Sequence, residues 1–281
     1  MTQTTVDSGW RGVGLAFCAL LAACSSEAPA APAPPAPPAP VPAVAPVPAP
    51  AAAPAPVAVG ATVPGTVVLA NYQGQGYYYV GVVTAVTGNQ LSVLYADGDT
   101  ETLAPDGVMP DRLTPVMPGE ALRDGVAVPV TIERRVGHAL GVAGADGQRW
   151  WTSVPFVRVT AASMPATVFA APAPAAFGQT GSLVLARYTG DGQWYEAVVG
   201  ELVGELRRVV YADGSSEDLP MEALRDGGIA VGTRIETRTR EQPEWVSGTV
   251  LLRAAHGVQV EFATGERRWA PVGLVRVPAG G

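Results

Sequence analysis

Three short segments decide the fold: Val184-Leu185-Ala186-Arg187-Tyr188, Trp194-Tyr195-Glu196-Ala197-Val198-Val199 and Val209-Val210-Tyr211-Ala212-Asp213-Gly214. Each is apolar and β-branched, and turn glycines separate them, which predicts short antiparallel strands over Leu183–Tyr188, Trp194–Glu201, Arg207–Tyr211 and Ser216–Leu219. Asp213-Gly214 is the turn of a hairpin, because glycine accepts positive φ. Met221–Asp226 reads as one helical turn or a last short strand. Strand residues two apart share a face. Val184, Ala186 and Tyr188 therefore lie together, as do Tyr195, Ala197 and Val199, and Val209 and Tyr211. Small apolar residues fill the interior, and three tyrosines collect at one end.

The same pattern occurs twice. Gly65–Leu103 aligns without gaps on Gly181–Leu219, with 18 identities in 39 positions. Tyr72, Tyr79 and Tyr95 stand where Tyr188, Tyr195 and Tyr211 stand in the second copy. Ala121-Leu122-Arg123-Asp124-Gly125 matches Ala223-Leu224-Arg225-Asp226-Gly227, and Val157-Arg158-Val159 matches Val275-Arg276-Val277. Each copy continues into a second part. That of the first copy is shorter by about fifteen residues around Glu241–Val250, so a trimmed module is expected there.

The string Val-Leu-Ala-x-Tyr, Asp-Gly-x-Trp-Tyr-x-Ala-x-Val and Val-Val-Tyr-x-Asp-Gly-x-x-Glu-x-Leu, from Val184 to Leu219, resembles the Tudor family. Val68–Leu103 is a looser version. The resemblance implies an all-β chain of tandem five-stranded SH3-like barrels. It implies an aromatic cage for methylated lysine or arginine, with Tyr188, Tyr195 and Tyr211 as walls beside Asp213, and Tyr72, Tyr79 and Tyr95 beside Asp97. The family's fourth aromatic wall is replaced by Gly214 or Gly98. The other reading of the tyrosines is a plug that closes the barrel end with its hydroxyls in water. The domains read as barrels over 61–118 and 181–227, each followed by a second small barrel over 119–160 and 228–278. An Ala/Pro-rich linker lies between the copies at 161–180.

Ahead of the repeats, Arg11 and an apolar run from Val13 to Ala23 have the length of a signal-peptide core. The run ends Leu21-Ala22-Ala23-Cys24 and resembles the lipobox of bacterial lipoproteins. This implies a signal peptide over 1–23, cleavage before Cys24, a lipid on its sulfur, and a membrane anchor. Ser25 after the cysteine resembles lipoproteins sorted to an outer membrane. Residues 24–60 form the tether, and its stretch 28–59 holds thirteen prolines. An extended polyproline-type spacer of that length reaches on the order of 100 Å.

Composition narrows the function. The net charge is −7 and every basic residue is arginine, which argues against non-specific nucleic-acid binding. No nucleophile motif, phosphate loop, cofactor fingerprint or zinc-type histidine pair is present, so neither a cofactor nor a metal is expected. His138 and His256 occupy matching turn positions and read as inherited. Trp150, Trp151, Trp245 and Trp269 either line grooves or close small cores. Arg234, Arg238 and Arg240, alternating with Glu236 and Glu241, read as a solvated strand face. The sequence thus points to a non-enzymatic, lipid-anchored envelope protein that binds a peptide, a protein or a methylated cation. A purely structural envelope lipoprotein is the alternative, and a cell-wall hydrolase a remote one.

Overall fold

The computed structural model describes residues 62–113, 115–163 and 175–279. The leader, Cys24, the tether and most of the linker expected over 161–180 lie outside the described residues. The described strands are bounded by turns and form four five-stranded antiparallel units, the first two joined into one ten-stranded sheet and the other two each a five-stranded sheet. The first unit comprises β1 (Val67–Asn71), β2 (Tyr77–Thr87), β3 (Gln90–Tyr95), β4 (Thr100–Leu103) and β5 (Val108–Pro110). The second comprises β6 (Met117–Arg123), β7 (Val126–Val136), β8 (Ala139–Gly144), β9 (Arg149–Ser153) and β10 (Val157–Thr160). The third comprises β11 (Leu183–Arg187), β12 (Trp194–Val203), β13 (Leu206–Tyr211), β14 (Ser216–Leu219) and β15 (Leu224–Asp226). The fourth comprises β16 (Arg234–Thr237), β17 (Val246–Ala254), β18 (Gly257–Phe262), β19 (Arg267–Pro271) and β20 (Val275–Arg276).

In every unit four strands run as a meander, and the fifth returns to pair with the first. A single 3-10 turn precedes each returning strand, at Pro105–Gly107, Val154–Phe156, Met221–Ala223 and Val272–Leu274. Each second strand carries a register shift, at Val83/Ala85, Ile132/Arg134, Val199/Glu201 and Val250/Leu252. Such a bulge bends a strand and sharpens its twist, which helps the sheet curl until its fifth strand reaches its first.

The second unit, expected to be trimmed, has all five strands. What it lacks is the segment between the first two strands: β6 and β7 join through Asp124 and Gly125, whereas residues 238–245 separate β16 from β17. The match of 121–125 to 223–227 does not join equivalent elements either. The former closes β6 and opens its turn, while the latter spans the end of a 3-10 turn and β15.

The central strands of the first and third units are buried on both faces. Val68, Ala70, Val93, Tyr95 and Val108 fill the first unit's interior, and Val184, Ala186, Ala197, Val209 and Tyr211 fill the third's. The opposite parity, Leu69, Val80 and Met109, packs into the second unit's core. The units form a closed ring. β10 pairs with β2 at Val159↔Tyr78 and joins first to second. The equivalent Val277↔Trp194 bridge joins fourth to third. His138, buried from solvent, places Nε2 3.3 Å from the Val210 carbonyl and ties second to third. His256 places Nε2 3.4 Å from the Leu94 carbonyl and ties fourth to first. The two turn histidines are therefore joints of the ring.

Candidate functional site

The returning backbone at the ends of β1, β2 and β3 brings Tyr72, Tyr79 and Tyr95 together. Tyr72 meets Tyr79 edge-on at 6.0 Å between ring centroids and Tyr95 at 5.2 Å. In the third unit Tyr188, Tyr195 and Tyr211 form a full triangle of 5.8, 5.8 and 6.3 Å with interplanar angles of 81°, 89° and 86°. Each triad borders a cavity. The first is about 200 Å³ and is also lined by Val80, Asp97, Leu122 and Pro155. The second is about 180 Å³ and is also lined by Glu196, Asp213, Ser215 and Arg238.

The three rings differ in setting. Tyr95 and Tyr211 are each 4 % exposed and form the floor, while Tyr188 is 37 % exposed at the rim. The floor hydroxyls donate to carboxylates: Tyr95 to Glu101 at 2.9 Å and Tyr211 to Glu217 at 3.0 Å. Those carboxylates also accept from the loop after the first strand, Glu101 from the Gln73 N–H and Glu217 from the Thr189 hydroxyl. Burial, and then the neighbouring glutamate, pushes both floor phenols up in pKa. Tyr195 donates to Asp191 at 2.8 Å and is pushed up to about 12, first by burial. Tyr72 is raised chiefly by its hydrogen bond to Asp99. Tyr72, Tyr95, Tyr195 and Tyr211 thus stay neutral at physiological pH beside negative charge.

Asp97 and Asp213 line their cavities, yet each also caps its turn. Asp97 accepts from the Asp99 N–H at 3.1 Å, and Asp213 from Ser215 N–H and hydroxyl at 2.9 and 2.6 Å. A further aromatic, which the sequence left open between a groove and a small core, stands beside the second triad. Trp245, from the loop between β16 and β17, stands 6.4 Å from Tyr195 and lies between the guanidinium groups of Arg238 and Arg276, at 4.6 and 4.1 Å. The tight turn of the second unit brings no such tryptophan to the first triad. The expected solvated arginine face is also corrected. Only Arg234–Thr237 is strand, Arg238 stacks on Trp245, and Arg240 crosses to Asp99 at 2.6 Å.

Glu196 was unassigned by sequence. Its carboxylate is enclosed where three units meet, contacting His138 Nδ1 at 3.2 Å, the Arg253 guanidinium at 2.6 Å and the Ile229 N–H at 2.9 Å. Burial alone would raise its pKa. The hydrogen bond from His138 and the charge of Arg253 outweigh that and hold it well below its ordinary 4.5. A signal existed: the duplication places Val80 opposite Glu196, so a lone charge interrupts an otherwise apolar strand face. His256 has no such carboxylate, and burial holds its pKa down to about 3. Among the described residues no cluster of three or more His, Cys, Asp or Glu could hold a metal. Nor is any described helix long and apolar enough to cross a membrane.

No protein-family model matches the chain, and no curated protein does. Among solved structures it is similar to the four MBT repeats of Drosophila melanogaster Sfmbt in complex with the peptide RHR (me)K VLR. The identity is 10 % over 78 % of this chain and 88 % of that one, with a TM-score of 0.19. At those values no site residue transfers.

Proposed function

We propose that this chain is a non-enzymatic, lipid-anchored envelope protein whose Tudor-like units bind a methylated or quaternary cation displayed on a peptide or protein. The observation that carries the reading is the triangle of near-perpendicular tyrosines around a cavity with a carboxylate at its edge. A cation over such ring faces gains about 0.5–2 kcal/mol per contact, depending on desolvation. Two weak sites on one chain act together through effective concentration. The lipobox-like Leu21-Ala22-Ala23-Cys24 supports anchoring through Cys24, with the tether holding the ring off an outer membrane or another envelope surface.

The test is an NMR titration of the chain from Ser25 onward with trimethyllysine and dimethylarginine peptides, choline and cell-wall fragments. Shifts confined to the residues around either tyrosine triad support the reading and select the ligand class. No shift at millimolar ligand overturns it. The structural alternative rests on one observation, the near-complete burial of Tyr95 and Tyr211, and gains from that second outcome. Anchoring is tested separately: radiolabelled palmitate incorporated by the wild type and not by Cys24→Ser supports it.

A further inference from the structure

In every unit the fourth strand is an edge, and an edge strand offers unpaired backbone groups to another chain. β19 of the fourth unit and β4 of the first line one cleft of about 720 Å³. Their counterparts β9 and β14 line another of about 630 Å³. Antiparallel strands alternate between residues that bond their neighbour and residues that point away. Val272 N–H donates to the His256 carbonyl and Phe262 N–H to that of Glu266, and the register between them is unbroken. The backbone N–H and C=O of Arg267 and Trp269 are thus directed away from β18. By the same alternation, set by Tyr95 N–H donating to the Asp99 carbonyl, those of Thr100 and Thr102 point away from β3.

The two clefts differ in charge. In the smaller one, Arg149 pairs with Glu133, and Arg208 with Glu201 and Asp218. In the larger one, Arg238 and Arg268 are held by rings, over Trp245 at 4.6 Å and Phe262 at 4.9 Å. Neither has a carboxylate partner among the described residues. The acids lining that cleft are already engaged. Asp99 takes Arg240 and the Tyr72 hydroxyl, Glu101 takes Tyr95 and Gln73, and Glu241 sits beside Arg240. Unpaired arginines on a protein of net charge −7 mark a place for negative charge, and the free strand edges mark a place for peptide backbone.

We propose that the cleft between the first and fourth units binds an extended acidic peptide, which adds as a strand along β19 and sets its carboxylates on Arg238 and Arg268. The site borders both tyrosine cavities, sharing Tyr72 with the first and Arg238 with the second, but its strand edges and Arg268 lie outside them, so it does not depend on their reading. The test is a titration of the full chain with the capped peptide (Glu-Thr)4, its lysine counterpart (Lys-Thr)4, and an N-methylated (Glu-Thr)4 blocked on alternate amides. The proposal expects amide shifts over residues 267–271 and 100–102 with the acidic peptide only. It also expects a loss of affinity on the order of ten-fold in the Arg238→Gln/Arg268→Gln variant, with unchanged melting temperature. Arg149→Gln, in the other cleft, should leave binding intact. Equal binding of (Lys-Thr)4, equal binding by the N-methylated peptide, or shifts outside these strands each overturns it. So does tighter binding of an anionic polysaccharide than of (Glu-Thr)4, which would mark simple polyanion capture.

Discussion

Tyr211 and Tyr188 face the same cavity but are loaded differently. Tyr211 is buried and bonded to Glu217, so Tyr211→Ala should cost about 3–5 kcal/mol of stability. Tyr188 stands half in water, so Tyr188→Ala should cost roughly 1 kcal/mol or less while abolishing the ligand-induced NMR shifts at that triad. Urea denaturation of the two variants, read beside their titrations, separates the roles. Glu196 is a buried carboxylate held by partners from two other units. Glu196→Gln keeps an acceptor for the Ile229 N–H but leaves Arg253 without its counter-charge, and should cost about 3–5 kcal/mol. The pH dependence follows from linkage. The folded carboxyl has a pKa depressed below its ordinary 4.5, so its contribution is complete above about that pH. It is lost as pH falls through the folded value. His256 adds to the slope at higher pH, since the unfolded chain takes up a proton between 6.5 and about 3 that the folded chain refuses. Melting temperature should therefore fall with acid across both windows, and His256→Gln should flatten the upper one.

At the level of elements, the segment between β16 and β17 distinguishes the two copies. Replacing residues 238–245 by an Asp-Gly turn of the kind Asp124-Gly125 makes should leave the four units intact. It should remove Trp245 from the second triad and Arg238 from the arginine-lined cleft. Ligand shifts should persist around Tyr72, Tyr79 and Tyr95 and weaken around Tyr188, Tyr195 and Tyr211; paired NMR spectra check this. The strands of the first and third units were legible because one of their faces is a clean period-2 pattern ending in tyrosine. The candidate strands in 183–219 agree with the observed ones to within two residues at every end. Which tyrosine is floor and which is rim was not legible, because parity gives a face and not a depth. The second and fourth units were harder to read, since short edge strands such as Val275–Arg276 carry too few residues for periodicity. Glu196 escaped, and Trp245 stayed undecided between groove and core, because what gives them meaning lies on a different unit, far away in the chain.

The four described units hold together as one body because the contacts between them close on themselves. Unfolding any unit exposes two joints, so the region from residue 62 to residue 279 should melt in a single calorimetric transition. The third-unit turn is the weak link to test. A Cβ on Gly214, which sits at φ +84°, would come 2.2 Å from the Phe156 ring. Gly214→Val should therefore broaden or split that transition. The ring also carries a record of descent. The joint between second and third units and the joint between fourth and first are the same joint made twice, histidine to carbonyl. Two separate chains, each the length of one copy, would meet through just such a self-complementary surface. A polypeptide of residues 62–163 alone should then be a homodimer by sedimentation, with His138 of each chain against Leu94 of the other.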